Sequence, residues 1–143
     1  MPHEKPVREL RLALTVENYD EALRFYRDAL GLPVLDTWDG PDGQGILLDA
    51  GRATLEVLSA EQARMVDRTE AGAEGVSGPV RLALEVADSL ATAAALRDAG
   101  AEQLHEPVLT PWQHRNIRLR APDGMQITLF TVLDSGPDPD MSR

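Results

Sequence analysis

Two arginines, two glutamates, a histidine and two tryptophans are the side chains of this sequence best suited to chemistry. Arg11 and Arg81 stand 70 positions apart, and each opens the same string, Arg-Leu-Ala-Leu-x-Val, at 11–16 and again at 81–86. A guanidinium is a permanent cation with five N–H donors. Each arginine therefore either holds a carboxylate, phosphate or enolate on a ligand, or pairs with a glutamate of its own chain such as Glu56 or Glu85. Unpaired burial of such charges costs several kcal/mol, so the internal ion-pair network is as chemically sensible as the recognition site. Glu56 and His114 are the candidate general acids or bases. His114, within Trp112-Gln113-His114-Arg115-Asn116, is the histidine nearest a predicted pocket strand, and its first reading is a loop histidine that packs or hydrogen-bonds locally. His105, beside Glu106-Pro107, reads as a strand-end residue, and His3 belongs to the N-terminal stretch. Trp38 and Trp112 are candidate pocket walls in a chain with only 4% aromatic residues. No nucleophile has an evident activating partner, and no Gly-rich phosphate loop or ligand-spaced histidine pair is present.

The elements that must position these groups come as a repeat. Leu10, Leu12, Leu14 and Val16 alternate with Arg11, Ala13 and Thr15, the pattern of a half-buried strand. Asn18 then caps a helix with an apolar stripe of Ala22, Leu23, Phe25, Tyr26, Ala29 and Leu30, ended by Gly31. Strands over 34–38, 46–49 and 53–58 complete a β-α-β-β-β order. The second half repeats it: a strand over 80–86, a helix from Asp88 to Ala99 stopped by Gly100, and a strand near 102–105. A loop through Pro107, Pro111 and Trp112 follows, then a hairpin of 116–120 and 126–132 around Pro122-Asp123-Gly124. The expected organisation is a first βαβββ module at 7–58, a linker at 59–79 that begins as a short helix, a second module at 80–133 and a flexible tail at 134–143.

One face of each sheet is covered by its helix, which accounts for the Leu/Val faces. If the two sheets curl together, the opposite face presents Arg11, Thr15, Arg81 and Glu85 to a shared cavity. Strand parity adds Thr54, Glu56 and Leu58 from one module and Gln126, Thr128 and Phe130 from the other. The fold class is α+β: two tandem βαβββ modules forming a curved mixed sheet around a concave cavity, with helices on the outer face. A seam between two similar halves is where a small-molecule pocket forms.

Composition narrows the partners. A formal charge of −10 argues against nucleic-acid and anionic-membrane partners. The absence of cysteine excludes disulfides, thiolate chemistry and Cys-ligated zinc. No apolar run approaches a membrane span, and the first residues lack a signal-peptide pattern, so a cytoplasmic protein is the expectation.

The sequence resembles the vicinal oxygen chelate superfamily, which groups glyoxalase I, bleomycin-resistance and extradiol dioxygenase proteins. The stretches that carry the resemblance are Leu12-x-Leu14-x-Val16-x-Asn18 leading to Phe25-Tyr26-x-x-x-Leu30-Gly31, and Pro111-Trp112 leading to Ala121-Pro122-Asp123-Gly124-Met125-Gln126-Ile127-Thr128-Leu129-Phe130. The similarity spans about residues 7 to 132. It implies paired βαβββ modules and a homodimer. It also implies a divalent-metal site with one ligand near the start of each module's first strand and one on its last strand, slots filled here by Arg11, Glu56, Arg81 and Thr128. Only Glu56 is a competent ligand, because an arginine repels a cation and Thr128 is a weak neutral donor. The expectation is therefore no metal and no other cofactor.

The function expected on this basis is metal-independent small-molecule binding of the glyoxalase/bleomycin-resistance type, with protection by sequestration as the implied role. The ligand-binding candidates are Arg11, Trp38, Glu56, Arg81, Trp112, His114 and Thr128. The alternative is a lyase, isomerase or dioxygenase-type enzyme with a displaced metal site, or with Glu56 or His114 as acid/base. A third is a purely structural dimer or protein-binding domain. The acidic overall charge favours cationic ligands and the two arginines favour anionic groups, and the local contacts are expected to decide.

Overall fold

The computed structural model describes residues 6–133, so His3 and the expected tail at 134–143 lie outside the described residues. The elements are β1 (Val7–Val16), α1 (Tyr19–Leu23), β2 (Val34–Gly40), β3 (Gly43–Asp49), β4 (Thr54–Ser59), α2 (Ala60–Ala71), β5 (Val80–Val86), α3 (Ser89–Asp98), β6 (Glu102–Gln103), β7 (Val108–Leu109), β8 (His114–Arg120) and β9 (Gln126–Val132). They form one mixed, open sheet in the order β2-β3-β4-β1-β5-β9-β8-β6, with β7 beside β6 on the same edge of β8. Each module contributes one parallel pair, β1 with β4 and β5 with β9. The duplication is thus visible as topology.

The seam is the antiparallel pairing of β1 with β5, in which Arg11 faces Ala83 and Ala13 faces Arg81. The two arginines of the repeat stand diagonally across this ladder, each beside an alanine. A small residue opposite leaves room for a guanidinium over the sheet face.

The Leu/Val faces are buried as the alternation predicts. Tyr19 and Ala22 of α1 pack with Ile46, Leu48, Leu55 and Val57, and Leu12, Leu14 and Val16 pack against that cluster. Ala93 of α3 packs with Val86, Ile117, Leu119 and Leu129. Asn18 caps α1 by accepting from the Glu21 N–H (2.9 Å), and Asp88 caps α3 by accepting from the Ala91 N–H (3.2 Å).

Three local expectations change. Helix α1 is only five residues long, and Arg24–Ala29 continue it as a π-helix. The wider i→i+5 turn moves later residues out of the 3.6 register, so Phe25 and Leu30 lie about 60% exposed instead of in the core stripe. The loop expected through Pro107 and Pro111 contains the short strand β7. His114 is the first residue of β8 and not a loop histidine, because Thr110 pins the turn before it: the His114 N–H donates to Thr110 Oγ1 (3.0 Å) and the Thr110 N–H to the His114 carbonyl (2.8 Å).

The stretch 59–79 carries the largest difference in emphasis. Its helix α2 runs twelve residues, from an N-cap at Ser59 to Gly72, whose left-handed backbone (φ 74°) ends it. Gln62, Ala63, Val66, Asp67 and Glu70 are buried, a stripe one helical face wide. While α1 and α3 sit on the Leu/Val side, α2 packs on the other side of the sheet.

Leu129, with no exposed surface, sits where α3 meets β8 and β9. Leu129→Ala should lower the unfolding free energy by about 2–5 kcal/mol, read from the urea midpoint at unchanged m-value.

Candidate functional site

The side of the sheet away from α1 and α3 holds a cavity of about 220 Å³ between the two modules, bounded by α2. Every ligand-binding candidate named from the sequence lies in its wall: Arg11, Trp38, Glu56, Arg81, Trp112, His114 and Thr128. Leu58 and Phe130, placed there by strand parity, also line it. Thr15, Thr54, Glu85 and Gln126, expected on the same grounds, do not. Thr54 donates instead to Glu9 (2.7 Å), and Gln126 accepts from Arg118 (3.0 Å). His105 lies elsewhere, with its Nδ1 2.9 Å from the Glu106 carbonyl oxygen.

The aromatic wall is concentrated. Trp38, Trp112 and Phe130 are three of the six Phe, Trp and Tyr residues in the chain, and both tryptophans are among them. Trp38 faces Gly45 across the β2–β3 ladder, and a Cβ at Gly45 would overlap the indole, so the missing side chain seats the ring. The Trp112–His114 turn passes through Gln113, which adopts a left-handed backbone (φ 67°). His114 is buried and its ring stacks on Phe130 at 5.0 Å. The Arg11 guanidinium also lies over the Phe130 ring, 4.9 Å from its centroid.

Charges in and around the wall form one network. Arg11 Nε donates to Glu9 (3.1 Å), and its Nη1 stands 3.8 Å from the Glu56 carboxylate. Arg81 Nη2 approaches the other Glu56 oxygen at 3.9 Å, while its Nη1 donates to Thr128 Oγ1 (2.8 Å). Glu56 therefore sits between two guanidiniums, near enough to attract both and too far to accept a hydrogen bond from either. The pairing expected between the arginines and Glu85 is not made; Glu9, on the strand facing Glu85, takes that place. Beneath lies Arg118, with no exposed surface. It donates to Asp67 (3.0 Å) and, through Nη2 and Nε, to Glu70 (2.9 and 3.2 Å). Glu70 also accepts from Thr128 Oγ1 (2.7 Å) and Asn116 Nδ2 (2.7 Å).

Burial alone would push the Glu70 carboxyl up. The charges of Arg81 and Arg118, with hydrogen bonds from Thr128 and Asn116, outweigh that and hold it below the ordinary glutamate range. Glu70 is thus a fixed anion joining α2 to β8 and β9.

The four slots in which the resemblance would place metal ligands do converge, and their chemistry does not suit a metal. Arg11 and Arg81 bring two permanent positive charges to the point where a cation would stand. Thr128 Oγ1 already accepts from Arg81 and Arg118 and donates to Glu70. Among the described residues no three His, Cys, Asp or Glu side chains group to hold a metal ion.

Sequence reasoning did not single out Gln62, Val66, Glu70 and Asn116, which also line the cavity, or Asp67 and Arg118 beneath it. A signal existed for part of this set. Asn116 and Arg118 share strand parity with His114 in β8, and Gln62, Val66, Asp67 and Glu70 recur at helical spacing after the Ser59 cap. Acidic residues on a helix read as a solvated face unless their buried partner is known.

The glyoxalase/bleomycin resistance protein/dioxygenase superfamily model matches residues 10–129. The Bacillus subtilis (strain 168) protein YraH, itself uncharacterized, is 28% identical over 127 residues, covering 87% of this chain and 98% of its own. Among solved structures, a hypothetical protein of Bacillus halodurans C-125 aligns with a TM-score of 0.66 at 17% identity, over 90% of this chain and 96% of that one. Streptomyces coelicolor methylmalonyl-CoA epimerase, in complex with 2-nitronate-propionyl-CoA, aligns with a TM-score of 0.63 at 22% identity, over 90% and 99%. At these identities the solved structures speak for the fold.

Glu70→Gln should destabilise the protein by about 3 kcal/mol, because it removes one partner of a buried ion pair. The pH dependence follows from the depressed carboxyl. Its stabilisation is complete above the unfolded-state value near 4.5 and is lost as pH falls through the lower folded-state value. Chemical denaturation from pH 7 to 3 should show a steeper loss below pH 4.5 in the wild type than in Glu70→Gln.

Proposed function

The chain belongs to the glyoxalase/bleomycin resistance protein/dioxygenase superfamily, and from that premise we propose that it is a metal-independent small-molecule-binding protein. The observation that supports this reading is the replacement at the four superfamily slots: two guanidiniums and a committed hydroxyl surround the single carboxylate. The cavity fits a modest guest. At about 220 Å³ it falls just below the ~300–1,000 Å³ usual for ligand pockets, so a molecule of one or two rings is the right scale. Trp38 and Trp112 supply flat, polarisable walls for it. Protection by sequestration is the role such a protein would have.

An acid/base enzyme built on Glu56 is the second reading. It draws on the fact that this carboxylate faces the cavity without accepting a hydrogen bond from either flanking arginine. Binding ranks ahead because the same carboxylate is already committed to two ion pairs. Homodimerisation is also a proposal, with the exposed Phe25, Leu30 and Leu35 as the apolar surface for it; light scattering should give twice the chain mass. Among the described residues no helix is long and apolar enough to cross a membrane.

The chain's two tryptophans both line the cavity, so fluorescence excited selectively in tryptophan over tyrosine reports on it. Titration with a panel of small planar aromatics should quench or shift the emission saturably, and excess EDTA should leave the curves unchanged. Trp112→Ala should weaken binding about tenfold or more. Binding that disappears with EDTA and returns with a divalent metal would contradict the proposal.

A further inference from the structure

We infer that the cavity selects planar molecules that donate hydrogen bonds, neutral or singly positive, such as aromatic amides and amidiniums, and rejects their carboxylate counterparts. This inference rests on the small-molecule-binding reading above and specifies its ligand class.

Charge counting comes first. The network in and under the wall contains three guanidiniums, those of Arg11, Arg81 and Arg118, and four carboxylates, those of Glu9, Glu56, Asp67 and Glu70. The arginines look like an anion site in the sequence, yet they are over-neutralised where they stand. An incoming carboxylate would have to displace Glu56 from between them or lie against it, and like charges at such distances repel strongly in a partly desolvated site. The surface field of a chain with net charge −10 works in the same direction.

Hydrogen-bond accounting agrees. Asn116 gives its Nδ2 to Glu70, which fixes the amide orientation and leaves Oδ1 as a buried acceptor with no partner among the described residues. Asn116 lines the cavity with this oxygen covered, and a donor that reached it would remove the cost of an unpaired buried carbonyl. Glu56, at 3.8 and 3.9 Å from its arginines, lines the cavity and keeps acceptor capacity that neither guanidinium uses. A guest that brings N–H groups can use this acceptor capacity, and a carboxylate cannot. The aromatic side chains favour a flat body, and indole faces favour a positive charge over a negative one.

Benzamide, benzamidinium and benzoate share one shape and differ in this chemistry, so they form the test. Binding to the wild-type protein is measured at pH 7 by tryptophan fluorescence and by calorimetry. Benzamidinium and benzamide should each bind at least about tenfold more tightly than benzoate, with benzamidinium the tighter of the two because Glu56 faces it. Glu56→Gln, verified as folded by circular dichroism, should abolish the preference for benzamidinium over benzamide. The wild-type rank order stands even if that variant does not fold. Benzoate binding as tightly as or more tightly than benzamide would overturn the inference and leave the binding reading intact. Folded Glu56→Gln with an unchanged benzamidinium preference would overturn the role of Glu56. No saturable binding of any of the three would overturn the binding reading itself, and the ligand class with it.

Discussion

A guanidinium with no exposed surface must be neutralised where it sits, and Arg118 sets that condition for the rest of the molecule. Its anions come from α2, through Asp67 and Glu70, on a segment far from β8 in sequence. The pairing brings α2 onto the face of the sheet that α1 and α3 leave open. Once there, the helix contributes Gln62, Val66 and Glu70 to the cavity wall. Glu70 orients Thr128 and Asn116, and Thr128 in turn receives Arg81. Removing one partner of such a network leaves an uncompensated buried charge, a larger penalty than the net stabilisation the pair confers. The cavity therefore inherits its shape from an ion-pair cluster beneath it as much as from the sheet.

Much of the fold was legible in the sequence because its physics is local. The alternation in 10–16 and 80–86, the caps at Asn18 and Asp88 and the turn at 122–124 each act over a few residues, and each appears in the structure. The seventy-residue echo placed Arg11 and Arg81 at related points before any contact was known. The π-helical turn after Leu23 was not legible, since nothing in the apolar spacing distinguishes an i→i+5 turn from an i→i+4 one. The pairing partners of the arginines were not legible either. Glu85 and Glu9 share the parity of the arginines and stand opposite each other in the β1–β5 ladder. Neither parity nor register chooses between them, and only the side-chain contact does.

The segment 59–79 teaches the sharper lesson. Its Glu and Arg residues resemble a solvated linker, yet Asp67 and Glu70 are among the most buried carboxylates in the structure. Charge patterning alone cannot separate a wet face from a face that meets Arg118 across the fold. The candidate site was found from the sequence on its sheet side and overlooked on its helix side, and the overlooked half holds the anions that commit the arginines.

Arginine in place of a metal ligand changes what the fold can do. On the proposed reading the sheet, the seam and the cavity persist, while two guanidiniums stand where the resemblance implies metal ligands, and such side chains cannot activate a bound water or change oxidation state. The most direct measurement is anomalous X-ray diffraction from crystals grown in millimolar manganese, nickel or zinc after purification without chelator. The account predicts no anomalous peak within bonding distance of Glu56, with Arg11 and Arg81 in their places on either side of it. A metal ion bound to Glu56, with either guanidinium swung out of the cavity, would contradict it.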